Sequence, residues 1–340
     1  MRGRILDLAC LVFALSSTAA WADGAKRSEV PIRQVVLSDG TRRYAVPIEV
    51  GGEAIDAGLD SGSVGLRVIS DDRLDHTLEA KPGGWQSYGF SVGTVLEGPA
   101  AIGVVTVGGV RTRIELQQVR KASCTALKRN CPASNIPFGA FRIQGDGLPD
   151  EGFRAIFGIG VFASHTPNPL ITLGIRRWII RLPRPGETAD GALILNPDES
   201  ELRGFKPLES ASNNEHRRND AVRGCLQLTA EQRLCAPTIL DTGAPGVAVV
   251  NGPLRRGGAS PQMTLMFVAS DGASSPEIRF ETDQRSQGSR FSIEHEERVD
   301  TSLIRSGIMP YLSYDVLYDS RTRQISLRLR PPYAGGAIAR

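Results

Sequence analysis

The stretch Ala57-Gly58-Leu59-Asp60-Ser61-Gly62-Ser63-Val64-Gly65-Leu66-Arg67-Val68 decides how this chain reads. An apolar approach leads into Asp-Ser-Gly, and an apolar run leaves it. A carboxylate is costly to desolvate unless something satisfies it. Neighbouring hydroxyls and the N–H groups of a tight glycine turn can do so. Alone, the triplet reads as a turn between strands. The same device recurs at Pro237-Thr238-Ile239-Leu240-Asp241-Thr242-Gly243-Ala244-Pro245-Gly246-Val247-Ala248-Val249-Val250, with Asp60 and Asp241 lying 181 positions apart. Repetition suggests a duplicated unit, and two copies facing each other would bring two carboxylates together. Such a pair does not readily ionise twice. One member stays protonated, and the pair can act as acid and base.

Short strands and turns surround both motifs. Val35 to Gly51 reads as two strands about Ser38-Asp39-Gly40, with Tyr44 to Val50 alternating as one of them. Ala54 to Leu59 leads into Asp60 and Val64 to Ile69 leads away, which puts Asp60 at a strand–turn boundary. Ser70 to Gly84 is polar and turn-rich, and Trp85 to Gly109 reads as a hairpin. Phe153 to Phe162 reads as a buried strand in which Gly158 and Gly160 allow close backbone approach. Ser164 to Leu173 has room for a short helix. Trp178 to Leu182, Gly191 to Leu195, Cys225 to Leu228, Ala236 to Leu240, Thr264 to Ala269, Glu277 to Glu281, Tyr311 to Tyr318 and Gln324 to Leu329 are strand candidates. The expected class is all-β. Pro183 to Asp190, rich in Pro, Gly and charge, is the expected boundary between lobes over 23–183 and 184–330, with a disordered tail at 331–340.

A length of 340 residues allows one large domain or two ordinary ones. The 37 Gly and 21 Pro suit a turn-rich β protein, and a net charge of +3 is too small to argue for nucleic acid or an anionic membrane. The arginines are scattered and read as solvated surface. Residues 1–22 read as a secretory signal peptide. Met1-Arg2-Gly3-Arg4 is basic, Ile5 to Leu15 is apolar apart from Asp7, and Ala20-Trp21-Ala22 offers a small-x-small cleavage site. The apolar run is too short to span a membrane. Cys10 has no lipoprotein context, because Asp7 stands where an aliphatic residue is wanted. The mature chain is expected in the periplasm or secreted, with no membrane attachment.

Removing the leader leaves Cys124, Cys131, Cys225 and Cys235. An even number in an exported chain suggests disulfides, in any of three connectivities, and local pairing would close two short loops. No Cys-x-x-Cys occurs, and His76, His165, His216 and His295 are not grouped with the cysteines, so no metal is expected. Glu294-His295-Glu296-Glu297 lacks the spacing of a helical metal motif and reads as an exposed loop. Arg120 to Asn135 reads as a surface loop.

Four further segments fall in order along the chain: Ser87-Tyr88-Gly89-Phe90-Ser91-Val92-Gly93, Thr106-Val107-Gly108-Gly109, Ala155-Ile156-Phe157-Gly158-Ile159-Gly160, and Gly307 through Asp319. With the two Asp motifs they give a pattern, over roughly residues 40 to 330, that resembles the pepsin-like aspartic proteases. The resemblance implies a bilobal fold of two pseudo-symmetric β-lobes with the cleft between them. It implies catalytic roles for Asp60 and Asp241, with Gly62 and Gly243 as the active-site loop glycines. Ser61 and Thr242 would bond across the two loops, and Ser63 would bond the first carboxylate. Tyr88 and Gly89 would form a flap over the substrate; without the resemblance, Tyr88 is an ordinary strand tyrosine. The Cys225–Cys235 pair falls where such enzymes often carry a small disulfide loop.

The chain departs from that pattern in places. Ala244 cannot donate to the second carboxylate as Ser63 can to the first, which leads us to expect a working pH less acidic than pepsin's. Pro245 stands where Ser is common. Arg305-Ser306 precede Gly307 where two hydrophobic residues are usual, and only 66 residues separate Asp241 from Gly307 against 98 from Asp60 to Gly158. The segment between Asp23 and Gln34 has no room for a long basic prosegment.

The expectation is a monomeric aspartic endopeptidase without cofactor, acting on extended peptide or protein substrates. Hydrophobic side chains would be preferred near the scissile bond. A catalytically silent binding or inhibitor protein of the same fold is the alternative, and two intact Asp motifs weigh against it. A serine hydrolase lacks its Gly-x-Ser-x-Gly elbow here. A homodimeric retroviral-type protease would not need two motifs in one chain.

Overall fold

Apolar runs bounded by Gly, Asn and Asp turns make strands the dominant element. The computed structural model describes residues 26–211, 220–252, 260–295 and 301–332. The leader at 1–22, Cys10, His216, Glu296, Glu297 and residues 333–340 of the expected tail lie outside the described residues. The first half runs β1 (Ser28–Val36), β2 (Arg42–Val50), β3 (Glu53–Asp60), β4 (Val64–Ile69), α1 (Asp72–Asp75), β5 (Glu79–Gly89), β6 (Thr94–Val107), β7 (Val110–Val119), β8 (Lys121–Cys124), β9 (Ala155–Ile159), α2 (Pro169–Thr172), β10 (Arg177–Arg181) and β11 (Gly191–Leu195). The second runs β12 (Lys206–Pro207), β13 (Val222–Gln227), β14 (Arg233–Ile239), β15 (Gly246–Val250), β16 (Gln262–Phe267), β17 (Ile278–Glu281), β18 (Arg290–Glu294), β19 (Leu303–Arg305), α3 (Met309–Ser313), β20 (Tyr314–Asp319) and β21 (Gln324–Leu329).

The protein is all-β and is built on two sheets. One has 14 strands, ordered β12-β21-β20-β10-β11-β1-β2-β3-β9-β4-β7-β6-β5 with β8 paired to β6. The other has seven, ordered β17-β16-β13-β14-β19-β15-β18. β1 serves two neighbours: Ser28 to Ile32 pair with β11, and Arg33 to Val36 pair with β2. Pro183 to Asp190 connects two strands, β10 and β11, that pair with each other antiparallel.

Each Asp motif sits in the same local arrangement. β9 lies between β3 and β4, parallel to the first and antiparallel to the second, with Asp60 and Gly65 both paired to Gly158. β19 lies between β14 and β15 in the same sense, with Ile239 and Ala248 both paired to Arg305. The close approach needs glycine in both halves. A Cβ at Gly158 would lie 2.7 Å from the Gly65 carbonyl oxygen, and one at Gly307 would lie 2.2 Å from that of Gly246. Gly65 and Gly246 stand five residues after their respective Asp residues.

The main core passes through both sheets, and Trp178 stacks on Tyr318 within it at 5.8 Å between ring centroids. Each fully buried Leu, Ile or Phe there contributes about 1.5–3 kcal/mol of transfer free energy. Two local disulfides form, Cys124–Cys131 and Cys225–Cys235, and the second joins facing residues of β13 and β14. Among the described residues, no helix is long and apolar enough to cross a membrane.

Several expectations need correction. Tyr311 lies in α3, not in a final strand, because Pro310 in the first turn starts a helix that delays β20 to Tyr314. The turn-rich segment after Ser70 contains α1, capped by the Asp71 side chain, and the start of β5. The loop expected from Arg120 begins as β8, which pairs with β6. Glu294 ends β18 and bonds Arg305, so it does not belong to a free loop. The arginines are not all solvated: Arg43, Arg67 and Arg184 are buried. Arg305-Ser306 do not displace the second crossing strand. Ser306 is buried and donates its N–H to the Ile239 carbonyl at 2.9 Å, while Leu303, Ile304 and Ile308 supply the apolar packing around it.

Candidate active site

Asp60 ends β3, and Asp241 stands two residues beyond the end of β14. Both carboxylates are held by the turns that follow them. Asp60 Oδ1 accepts the Gly62 N–H at 2.8 Å, and Asp241 Oδ1 accepts the Gly243 N–H at 2.8 Å. The two loops press together so closely that each glycine lies against the opposite carboxyl group. A Cβ at Gly62 would fall 2.2 Å from Asp241 Cγ, and one at Gly243 would fall 2.6 Å from Asp60 Cγ.

The hydroxyls between them tie the loops. The Ser61 N–H donates to Thr242 Oγ1 at 2.9 Å, and the Thr242 N–H donates to Ser61 Oγ at 3.0 Å. Ser61 Oγ donates to the Leu240 carbonyl and Thr242 Oγ1 to the Leu59 carbonyl, each at 3.0 Å. A hydroxyl has one proton to give. The Tyr311 hydroxyl, 2.7 Å from Ser61 Oγ, is therefore a donor to it, and it accepts in turn from Tyr318 at 2.6 Å.

The two carboxylates are not equivalent. Asp60 is buried and Asp241 only half-buried. Ser63 Oγ donates to Asp60 Oδ2 at 2.7 Å, whereas Ala244 occupies the matching place after Asp241. Burial first, and then the neighbouring Asp241 charge, push the Asp60 carboxyl up to about 7, against the opposing bonds from Ser63 and Gly62. The arrangement favours a single proton shared by the pair, which can then offer one basic and one acidic oxygen.

An open cleft of about 610 Å³ lies over the pair. Tyr88 and Gly89 overhang it from the end of β5, with Phe90 and Val92 at the hairpin tip. Ile156 and Phe141 line one wall, and Arg305 and Ile239 line another. Ile156 and Arg305 hold corresponding places, two residues before Gly158 and Gly307.

Three side chains escaped the sequence reading. Arg43 follows from register: Ala45 faces Gly58, so two residues further on Arg43 faces Asp60. Its Nη1 donates to the Gly243 carbonyl at 2.7 Å, and burial lowers its guanidinium to about 10. Arg67 is buried, with its guanidinium carbon 3.5 Å from the centroid of the Tyr88 ring. Arg67 Nη2 donates to the Val64 carbonyl at 3.0 Å. The third is Tyr311, whose burial holds its hydroxyl protonated far above the ordinary range. Nothing local marks these residues, because their positions depend on how distant strands pair. Cys124, Cys131, Cys225 and Cys235 are away from the carboxylates and act as staples. No family model matches this chain, and no curated protein matches it.

Proposed function

We propose that the protein is an aspartic endopeptidase of the pepsin-like, bilobal kind, exported and active as a monomer. The observation that carries this reading is the reciprocal Ser61–Thr242 clasp, which holds Asp60 and Asp241 face to face at the floor of an open cleft. A water held between the carboxylates would lose a proton to the ionised one as its oxygen attacks the peptide carbonyl. The protonated partner would donate to the carbonyl oxygen, and proton transfer to the nitrogen would release the amine. An extended peptide fits the cleft, with Tyr88 closing over it to exclude water. Phe90, Val92, Ile156 and Ile239 support a preference for apolar side chains near the scissile bond. The two disulfides suit an oxidising compartment.

The test is cleavage of a mixed peptide library from pH 3 to 8, with Asp60→Asn, Asp241→Asn and a statine-type inhibitor as controls. The expected result is cleavage that both substitutions and the inhibitor abolish, with an optimum well above pH 2. No cleavage by folded protein at any pH overturns the enzymatic reading and leaves a peptide-binding cleft.

A further inference from the structure

The cleft carries more arginines than carboxylates. Arg43, Arg142 and Arg305 line it, and among the described residues Asp60 and Asp241 are its acidic ones. Two of the arginines already have carboxylates: Arg142 pairs with Asp150 at 2.5 Å and Arg305 with Glu294 at 2.9 Å. Arg43 differs. It is 7% exposed, its Nη1 reaches only a main-chain carbonyl, and its Nε has no hydrogen-bond partner. Asp241, Asp39 and Asp60 act on it through longer-range attraction, and Arg290 opposes them. A buried guanidinium without a carboxylate carries much of its desolvation cost uncompensated. Its planar fork is suited to a carboxylate. A second unpaired donor, the Nε2 of Gln144, belongs to another residue of the same cleft, and Gln144 is itself held at φ 61°.

We infer that Arg43 is a specificity residue that receives a substrate carboxylate on the Gly243 side of the scissile bond. This rests on the cleft being the peptide site proposed above. The carboxylate could belong to an acidic side chain or to the peptide's own C-terminus. A ligand carboxylate beside Arg43 would complete the ion pair that the protein leaves open, in surroundings where charge-assisted bonds are strong.

The experiment uses the wild-type protein and non-cleavable statine-containing peptides, with binding measured by calorimetry. Glu is compared with Gln at each position flanking statine, and a free C-terminus is compared with its amide. The expected result is about tenfold or tighter binding of the acid at one position. A side-chain effect and a terminal effect identify which source of carboxylate is used. Equal binding of every pair overturns the inference while leaving proteolysis intact. Acid-selective binding by a protein that hydrolyses nothing supports the inference and removes the proteolytic reading. Absence of all binding overturns both. Arg43→Gln should abolish the preference, so that the Glu and Gln peptides bind alike, and Arg43→Lys should restore part of it. Uniform loss of affinity for both peptides would reduce Arg43 to a strut between loops. If Arg43→Gln does not fold, Arg43→Lys carries the comparison, and equal binding of every pair by the wild-type protein still overturns the inference.

Discussion

Ser61 and Thr242 bond each other reciprocally. Each hydroxyl accepts the other residue's N–H and donates to the carbonyl just before the opposite Asp. Removing either hydroxyl takes the acceptor from one buried N–H and a donor from one buried C=O, and at Ser61 it also takes the acceptor of the Tyr311 hydroxyl. We expect Ser61→Ala and Thr242→Ala each to cost about 2–4 kcal/mol in urea unfolding. The double variant should cost less than the sum, because both changes break the same network. Strict additivity would show that the two loops are held independently.

Gly62 and Gly243 pack directly against the opposing carboxyl groups, so a single methyl group tests the geometry of the pair. Gly62→Ala pushes on Asp241 and Gly243→Ala on Asp60. Each should lower peptide cleavage by roughly a hundredfold or more, given the sensitivity of catalysis to misplacement of reacting groups. Steady-state kinetics on refolded variants would check this, with circular dichroism to establish that they fold.

Asp60 makes stability depend on pH in a direction opposite to most carboxylates. Its ordinary value of 3.8 rises to about 7 in the folded chain. Between those values the folded state binds the extra proton, so stability should fall as pH rises from about 4 to about 7. Asp60→Asn should lose this dependence and be the more stable protein above pH 7. Urea midpoints for both proteins across pH 4 to 8 make the comparison, and parallel curves would refute it.

Arg67 packs its guanidinium against the Tyr88 ring. Lysine cannot reproduce the planar stack or the fork that reaches the Val64 carbonyl. Arg67→Lys should therefore destabilise by ~1–2 kcal/mol. It should also raise KM for peptides more than it lowers kcat, since Tyr88 would no longer be held over the cleft. An unchanged unfolding midpoint would show that the stack contributes nothing.

Much of the architecture is legible in the sequence because it rests on local chemistry. The apolar run after Asp-Ser-Gly places β4 at Val64–Ile69, and the Asp-Ser-Gly and Asp-Thr-Gly turns mark where the two loops meet. The close cysteine pairs form the two disulfides. What the sequence hides depends on pairing between distant strands. Arg43 looks like any arginine before a strand tyrosine until the β2–β3 register sets it opposite Asp60. Arg305 looks misplaced in a hydrophobic position until β19 is seen to run beside β14, with Glu294 at its side. Tyr311 looks like part of a strand because only Pro310, one residue earlier, signals the helix.

The dual pairing of β1 also bears on the order in which the chain can fold. The first strand meets the last two, β20 and β21, within one sheet through β11 and β10. No growing chain can complete that sheet before Tyr314 to Leu329 have been made. Until then the edge of β10 has no partner and invites wrong pairing. Assembly must wait for contacts between the chain's two ends, which are slow to find one another. A chain shortened by its last two strands would retain both Asp motifs but would leave β10 at an open edge and β12 without its partner.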